Sequence, residues 1–570
     1  DGRDVGPEWQ SLDDQATYDL MASGETLGVF QLEGAGMRDT LKKVRPHNLE
    51  DVIAIISLYR PGPMENIPVY VQGKEDPSSV VYQHPDLKPV LEATYGVPVY
   101  QEQVMRMAQE IAGYSLGEAD LLRRAMGKKK VEEMIAQRKR FVEGAAEQKG
   151  MEEKLANDIF DTMEKFAGYG FNKSHAAAYA LIGYHTGYLK RHFPVEFLAA
   201  SMSLDIGNTD KLAAFFQEAK RLKIPVLAPD VNTSSADFDV RDGAVVYALG
   251  ALKGVGLEAM KHVVEIRDKD GRFADLYDFA ERVDPKHVNK KAFESLSKAG
   301  AFDGMEPNRA RMLESAPLLA NLAVSAAQDR QGGQGGLFAE AEPALRPVLP
   351  KTRAWNGQQK LDQEFKSIGF YFSGHPLDDV LEGLDRERVT LAMEVQDRAS
   401  DGKPLEMIGV VRARSDKPAR NGGKFAFLTL SDPSGEVEMM VFPETLSQNY
   451  DLLQVGNAVA ITVGVKRNAE EIKLNAERVL KLEAARLSKA MGALKIRLAV
   501  GAYVGDLAGV VGHLAKLQDL EQGELLIEMP LEDGRVVTMK LPATYTIGLS
   551  AQRALKEAPG VERVEPLKAA

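Results

Sequence analysis

A dense basic cluster occupies residues 123–140, which read RRAMGKKKVEEMIAQRKR. Eight of these positions are Lys or Arg and two are Glu, whereas the net charge of the whole chain is −12. Arg binds phosphate oxygens through a planar fork and Lys binds them as a point charge, so Arg123, Arg124 and Lys128 are candidates for a polyphosphate or a nucleic-acid backbone. We expect Gly127 to break the helix and make the cluster a hinged arm. The alternative is a solvent-exposed helix face.

An aromatic segment follows at Phe166–Ala176, which reads FAGYGFNKSHA. Here Tyr169 offers a stacking face, Lys173 a positive charge and His175 a hydrogen-bond donor. Aromatic rings beside a cation can bind a base and a phosphate together. The alternative is a loop with aromatic side chains that pack between helices, in which His175 is a structural histidine.

A glycine-rich turn lies within Ala248–Met260, which reads ALGALKGVGLEAM. Lys253, Gly254, Val255 and Gly256 form a tight turn before a helix, the pattern of a helix-hairpin-helix motif. Glycines at Gly254 and Gly256 let backbone N–H groups approach a DNA phosphate at a helix N-terminus without reading the base sequence. A plain turn between helices is the alternative, and a weaker second copy is predicted at Ser297–Phe302.

Residues 405–482 change to an alternating pattern, which predicts five strands, and this segment resembles an OB-fold barrel. Exposed basic and aromatic side chains on such a barrel suit single-stranded nucleic acid. The predicted strands are Met407–Arg412, Phe425–Ser431, Val437–Phe442, Ala458–Val465 and Ile472–Leu474, and the candidate contacts are Arg412, Arg414, Lys417, Arg420, Lys424 and Phe427. Phe425 shares a face with Phe427, and both could instead be core residues. Phe442 and Tyr450 are interpreted as core.

The elements that position these residues are typical of a globular protein. The chain has 570 residues, of which 44% are hydrophobic and 27% charged, and this length fits several domains. Helical periodicity is clear at 102–113 and 176–190, and Asn208 is a capping residue for a further helix. Residues 325–340 are rich in Gly, Gln and Ala, which predicts a flexible linker.

Composition also excludes several classes of protein. The absence of cysteine excludes a disulfide scaffold, an iron–sulfur protein, a thiol nucleophile and a Cys-ligated zinc site. No apolar run reaches the ~18 residues that a membrane span requires. The chain begins at Asp1 without a signal peptide, from which we expect a piece of a longer, cytoplasmic protein.

Four ordered motifs carry a resemblance to a known family. YRPGPM (59–64), TYGVPVYQEQVM (94–105), RRAMGKKK (123–130) and FAGYGFNKSHAAAYA (166–180) resemble the fingers region of the bacterial replicative DNA polymerase III alpha subunits, and TLGVFQL (26–32) extends the match. The resemblance covers nearly the whole chain. It implies a DNA-directed DNA polymerase, a nucleotidyltransferase of chromosomal DNA replication.

The family supplies expected roles for the candidate residues. Arg123, Arg124 and Lys128, helped by Lys173, would hold the incoming triphosphate. Tyr169 and His175 would pack against its base and sugar, and Arg60 would reach a phosphate or act as a structural cap. The family binds Mg²⁺ through palm carboxylates that, by this resemblance, precede the chain, so no catalytic residue is expected here. Asp237 and Asp239 have the spacing of two metal-binding carboxylates on a strand, but we interpret them as part of a surface strand.

The resemblance also implies partners beyond primed DNA and a dNTP. The pentamer QGGLF resembles clamp-binding peptides, so Gln334, Leu337 and Phe338 are expected to bind the sliding clamp (beta). The C-terminal region resembles the docking site of the clamp-loader tau subunit, and a proofreading exonuclease subunit would bind outside this chain. No membrane is expected as a partner.

The predicted fold is a multidomain α+β protein: mostly helical fingers, a helix-hairpin-helix domain, an OB-fold barrel and a small C-terminal α/β domain. The expected boundaries are 1–205 (fingers with the edge of the palm), 206–320 (helix-hairpin-helix), 321–355 (linker with clamp motif), 356–404 (helical connector), 405–482 (OB-fold) and 490–570 (tau-binding-like domain). Two alternatives stay open: a non-catalytic DNA-binding scaffold, and an error-prone alpha paralogue of the DNA damage response.

Overall fold

The fold is that of a computed structural model. It describes residues 11–128, 131–167, 170–332, 346–355, 357–381, 384–419, 423–467, 472–482, 491–498, 504–514, 522–531, 535–556, 558 and 561–568. The chain divides into two compact units, which are described separately. The first comprises Asp1–Leu204, Leu222–Pro225 and Asp239–Val245, and the second comprises Asp205–Arg221, Val226–Phe238 and Val246–Ala570.

The first unit is mainly helical. Its helices are α1 (Gln15–Ala22), α2 (Ala35–Val44), α3 (Leu49–Leu58), α4 (Ile67–Glu75), α5 (Lys88–Leu91), α6 (Gln101–Ala112), α7 (Leu116–Lys128), α8 (Val131–Lys149), α9 (Glu153–Ala167), α10 (Lys173–His192) and α11 (Pro194–Leu204). The periodicity at 102–113 and 176–190 therefore predicted α6 and α10 correctly, because both helices have a regular apolar face.

Two hydrophobic cores hold this unit together. One surrounds α3 and α10 and contains Tyr18 and Tyr184, whose ring centroids lie 5.2 Å apart. The other joins α6, α8 and α9 around Phe141 and Phe160, at 5.5 Å. The start of α10 and the start of α6 belong to these two cores, so both are fixed by burial of apolar surface.

Short strands lie between residues 226 and 246, namely β1 (Val226–Leu227), β2 (Asp239–Arg241) and β3 (Ala244–Val246). In the second unit, Asn208 accepts a hydrogen bond from the Lys211 backbone N–H at 3.2 Å and so caps the helix that begins at Thr209, as predicted. The helices up to the barrel are α12 (Thr209–Arg221), α13 (Leu257–Asp270), α14 (Leu276–Arg282), α15 (Lys290–Ala299), α16 (Arg309–Gly332), α17 (Gly357–Ile368), α18 (Asp378–Leu381) and α19 (Val395–Arg398).

Two details of this region differ from the sequence prediction. Helix α16 extends to Gly332, so residues 325–332 are helical and do not belong to a flexible linker; their Ala and Gln residues are good helix formers. The connector at 356–404 also contains a strand, β4 (Val389–Thr390), which pairs in parallel with the start of the barrel.

The predicted OB-fold is confirmed as a closed barrel. Its five strands pair in the order first, second, third, fifth and fourth, and antiparallel pairing of the first strand with the fourth completes the ring. Leu428 and Ile461 are fully buried in its core. The barrel strands are β5 (Leu405–Pro418), β6 (Lys424–Asp432), β7 (Gly435–Val441), β8 (Ala458–Arg467) and β9 (Ile472–Lys481), with α20 (Pro443–Gln448) after β7.

The C-terminal segment is α/β, as predicted. Its first two strands run parallel and are connected through a helix, while its last strand pairs antiparallel with the first. Its elements are β10 (Met491–Leu498), α21 (Val504–Leu514), β11 (Gln522–Pro530), β12 (Val536–Lys540), β13 (Tyr545–Thr546), α22 (Leu549–Lys556) and β14 (Val561–Lys568). The multidomain α+β class is therefore confirmed.

Candidate nucleotide and nucleic-acid interface

The loop before α10 is fixed to the start of α6 by backbone hydrogen bonds. The Phe171 N–H donates to the Val99 carbonyl at 3.1 Å, and the Gln101 N–H donates to the Phe171 carbonyl at 3.0 Å. Asn172 then caps α10 by accepting from the His175 N–H at 2.8 Å. Two of the candidate residues, Lys173 and His175, therefore lie in the first turn of α10, close to the N-terminus of α6.

Arg60 belongs to the same region. Its guanidinium carbon lies 4.3 Å from the centre of the Phe171 ring, and that ring lies 5.5 Å from the ring of His175. Partial burial lowers the pKa of Arg60 from its ordinary value. Its Nε also donates to the Ser57 carbonyl at 2.9 Å, so the structural and ligand-binding interpretations of Arg60 are compatible.

The two arginines of α7 share one carboxylate. Arg123 donates to Asp120 Oδ1 from Nη2 at 2.7 Å, and Arg124 Nε lies 2.9 Å from Asp120 Oδ2. The hydrogen bond from Arg123 is the main cause that lowers the pKa of Asp120. Arg123 Nη1 also donates to Gln101 Oε1 at 3.2 Å, so Gln101 connects the basic cluster of α7 to the loop before α10.

The prediction that Gly127 breaks the helix and forms a hinge is wrong. Helix α7 continues through Gly127 and ends at Lys128, because the helix tolerates a single glycine near its end. The Lys128 side chain and the whole of Tyr169 lie outside the described residues, so their predicted roles stay predictions.

Lys173 contacts acidic side chains through both its ammonium group and its backbone N–H. Its Nζ lies 2.9 Å from Glu50 Oε2, and its backbone N–H donates to Glu102 Oε2 at 3.1 Å. Glu102 Oε1 also accepts from Asn172 Nδ2 at 3.0 Å. The ammonium group lies 5.3 Å from the centre of the Tyr100 ring, so an aromatic face and a carboxylate together hold this lysine.

The structure therefore brings Arg60, Arg123, Lys173 and His175 around the N-termini of α6 and α10. Sequence reasoning missed the side chains that connect them: Gln101 and Glu102, which stand adjacent in the motif TYGVPVYQEQVM, and Phe171. It also missed the extension of the aromatic surface to Tyr179, whose ring lies 4.5 Å from that of His175. The spacing of four residues between the two rings was the available signal.

The predicted hairpin turn adopts the backbone conformation that glycine permits. Gly254 and Gly256 have φ of +85° and +92°, and Gly256 directly precedes α13. A Cβ on Gly256 would meet no atom within 4 Å, so the backbone there is open to approach. Lys253 lies in the same turn. Loss of contact with water lowers the pKa of its ammonium group, and the positive charge of the nearby Arg412 lowers it further.

The connector supports this turn from behind. The Lys253 N–H donates to the Ser367 carbonyl of α17 at 2.7 Å, and the Ser295 hydroxyl donates to the Lys253 carbonyl. Nearby, buried Arg309 pairs with buried Glu364 at 3.1 Å. Burial of a charge is favourable only with such a partner, so this pair fixes α16 against α17.

Ser297–Phe302 is not a second open hairpin. Gly300 closes α15 in the left-handed conformation, and its N–H donates to carbonyls of that same helix. The next helix, α16, begins only at Arg309. This glycine therefore terminates a helix, so its N–H is not directed toward a phosphate.

The barrel arginines are less exposed than predicted. The Arg412 side chain is 14% exposed and pairs with Glu436 at 2.6 Å and with Asp210 at 2.9 Å. Arg414 is 10% exposed, donates to the Tyr450 and Leu453 carbonyls and pairs with Asp416 at 3.1 Å. Both arginines therefore satisfy acceptor groups of the protein itself, next to a register shift of β5 between Val411 and Ala413.

Aromatic rings occupy the outer face of the barrel. Phe427 is exposed, and its ring lies 5.6 Å from that of Phe425. Phe442 and Tyr450 are 48% and 46% exposed, so their interpretation as core is wrong. Lys417 and Lys424 are exposed, and Arg420 lies outside the described residues. Exposed rings and lysines on a barrel suit single-stranded nucleic acid.

The described residues show neither a metal centre nor a membrane-spanning helix. They contain no group of three or more His, Cys, Asp or Glu side chains that could hold a metal ion. Asp237 and Asp239 are exposed, and β2 begins at Asp239. Within the same described ranges, no helix is both long and apolar enough to cross a bilayer. The pentamer with Gln334, Leu337 and Phe338 lies outside the described residues.

Three family models match the chain. Residues 1–149 match the bacterial DNA polymerase III alpha subunit finger domain, residues 223–312 a helix-hairpin-helix motif, and residues 406–482 an OB-fold nucleic acid binding domain. DNA polymerase III subunit alpha of Caulobacter vibrioides is 50% identical over 555 residues, which cover 97% of this chain and 48% of that protein.

The chain belongs to the family of bacterial DNA polymerase III alpha subunits. The Thermus aquaticus subunit is 45% identical and that of Escherichia coli K12 40%, over 83% and 84% of this chain. They are covered to 39% and 42% of their own lengths, so the chain spans about half the length of its curated alpha-subunit relatives or somewhat less. The resemblance seen in the four motifs is confirmed.

Proposed function

We propose that this chain supplies the nucleotide-binding and DNA-binding parts of a bacterial replicative DNA polymerase. The reaction is template-directed nucleotidyl transfer from a dNTP to a primer 3′ end. The observation that carries the proposal is the convergence of Arg60, Arg123, Lys173 and His175 at the start of α6 and α10. Membership of the family supports it.

In this proposal the cations bind phosphate and the rings bind the nucleoside. Arg123, Arg124, Lys128 and Lys173 hold the triphosphate, and Arg60 reaches one of its phosphates. Tyr169 and His175 pack against base and sugar. Mg²⁺, held by palm carboxylates outside this chain, supplies activation of the primer hydroxyl and neutralisation of phosphate charge.

The second unit binds the DNA. The hairpin turn with Lys253, Gly254 and Gly256 contacts a duplex phosphate through backbone N–H groups. Lys424 and Phe427, which are both exposed, contact the single-stranded template. Arg412 was predicted to share this role. Its two ion pairs give it a different one, in which it holds the barrel to α12 near the hairpin.

Protein partners belong to the same proposal. Gln334, Leu337 and Phe338 bind the sliding clamp, through one amide and two apolar side chains that fit a pocket. The C-terminal α/β segment binds the clamp-loader tau subunit, and the proofreading exonuclease binds outside this chain. We place the protein in the cytoplasm.

The experiment is a charge reversal at Arg124. We expect Arg124→Glu to weaken dATP binding to this chain at least tenfold in equilibrium dialysis, because a cation becomes an anion beside the triphosphate. The control is Arg106→Glu on α6, an exposed arginine 3.9 Å from Glu110. Equal binding by wild type and Arg124→Glu would contradict the assignment, whereas a loss in both variants would show only a general charge effect.

A further inference from the structure

Three of the cations assigned to the triphosphate, namely Arg123, Arg124 and Lys173, already have a carboxylate partner within the described part of the protein. Asp120 lies 2.7 Å from Arg123 and 2.9 Å from Arg124. Glu50 lies 2.9 Å from the Lys173 ammonium group. These pairs use the hydrogen-bond donors that phosphate oxygens would need.

The backbone at the start of α10 shows the same arrangement. Glu102 accepts from the Lys173 N–H at 3.1 Å and from Asn172 Nδ2 at 3.0 Å. A helix N-terminus carries partial positive charge and favours an anion, so a carboxylate occupies a position that suits a phosphate. Three carboxylates thus contact the two arginines, the lysine and the helix terminus.

These side chains are partly exposed to water, so their ion pairs can open and form again. The side chain of Asp120 is 30% exposed, and that of Glu50 is 51% exposed. Ion pairs in contact with water contribute little free energy, because water stabilises the separated charges nearly as well. A ligand with several negative charges can therefore replace them, in contrast to the buried pair between Arg309 and Glu364.

We propose that Asp120, Glu50 and Glu102 are internal counter-ions that the incoming nucleotide displaces, and that they make the site selective for the number of phosphates. This inference rests on the proposed function of the site. Each displaced carboxylate removes a favourable contact, and the ligand has to replace it with phosphate oxygens. A triphosphate offers three phosphoryl groups for three carboxylates, whereas a diphosphate or monophosphate offers fewer.

The three acids are therefore specificity-determining residues. Their neutralisation strengthens the binding of every nucleotide, because competition for the cations ends. The gain is largest for the ligands with the fewest phosphates, since these cannot displace all the carboxylates. Selectivity for the triphosphate falls as the carboxylates are removed.

The test measures dATP, dADP and dAMP binding to the full chain by equilibrium dialysis at low salt. The variants are Asp120→Asn, Glu50→Gln and Glu102→Gln, which keep the side-chain shape and remove the charge. We expect the ratio of dATP to dADP affinity to fall about twofold to fivefold for each neutralised acid. The matched control is Glu143→Gln on α8, a carboxylate 3.9 Å from Lys139.

The possible results distinguish a failure of the counter-ion role from a failure of nucleotide binding itself. Tight dATP binding that depends on Arg124, with an unchanged dATP-to-dADP ratio in all three variants, overturns the counter-ion role alone. No binding of any nucleotide by wild type or variants overturns both proposals. Equal weakening of all three nucleotides, with a lower melting temperature, shows that the acids are only structural and also overturns the inference.

Discussion

The arginines of α7 and those of the barrel have the same side chain but different surroundings. Arg124 is 62% exposed and Arg412 is 14% exposed, although their partners Asp120 and Glu436 are both partly buried. Water can replace the partner of the first arginine but not that of the second. The degree of burial, rather than the residue type, therefore separates a cation that can bind a ligand from one that holds the fold.

The largest effect is expected from removal of the buried cation. Arg412→Met should lower the free energy of unfolding of the barrel by about 3 kcal/mol, because Glu436 keeps its charge without a partner. Burial already raises the pKa of Glu436. Urea denaturation measures the change, and Arg124→Met is the control, with an expected loss under about 1 kcal/mol. Equal losses in the two variants would remove the distinction between the two arginines.

A lower pH should reduce the stability of the connector and the barrel through His375. Burial lowers the pKa of this histidine to about 3, and its Nε2 lies 3.3 Å from the Ser431 hydroxyl. The unfolded chain binds a proton below about pH 6.5 while the folded chain does not, so stability is complete above that pH and falls as the pH decreases toward 3. We expect about 2 kcal/mol less stability at pH 5 than at pH 7.5 from this residue.

His375→Gln is the variant that checks this assignment. It removes the titrating ring, so the stability difference between pH 5 and pH 7.5 should shrink in urea denaturation. An undiminished pH dependence would assign the acid sensitivity to other groups. His175→Gln is the matched control, since that histidine is exposed in the first unit.

The smallest expected effect concerns DNA binding by the barrel. Phe427→Ala should weaken single-stranded DNA binding by about 1–2 kcal/mol, because one stacking face is lost while the protein stays folded. Fluorescence anisotropy with a labelled oligonucleotide measures it. The control is Val455→Ala, which removes another exposed apolar side chain. If Phe427→Ala binds as wild type, the aromatic face is not the binding surface, and the contrast with the buried Arg412 loses its functional meaning.

Much of the architecture could be predicted from the sequence, because apolar periodicity reports directly on burial. It located α6, α10 and the barrel strands. It placed Lys173 and His175 correctly near each other, since they are neighbours in the chain. It could not predict that Arg412 and Arg414 contact acceptors of the protein, because acceptors such as Asp210 lie far from them in the chain.

The connecting side chains of the site were also beyond sequence reasoning. Gln101 contacts Arg123, which is 22 residues away in the chain, and Glu102 contacts Lys173, which is 71 residues away. Such pairs depend on how helices pack, and a single sequence does not report on packing between distant segments. Phe442 was assigned to the core from its hydrophobicity alone, although apolar residues also make up much of a protein surface.

The contacts of α17 have a consequence for how the chain could be divided. The pairs Arg309–Glu364 and Lys253–Ser367 join residues on either side of the interval between Gly332 and Arg346. A protease that cuts within this interval should therefore yield two pieces that remain associated and migrate together under native conditions.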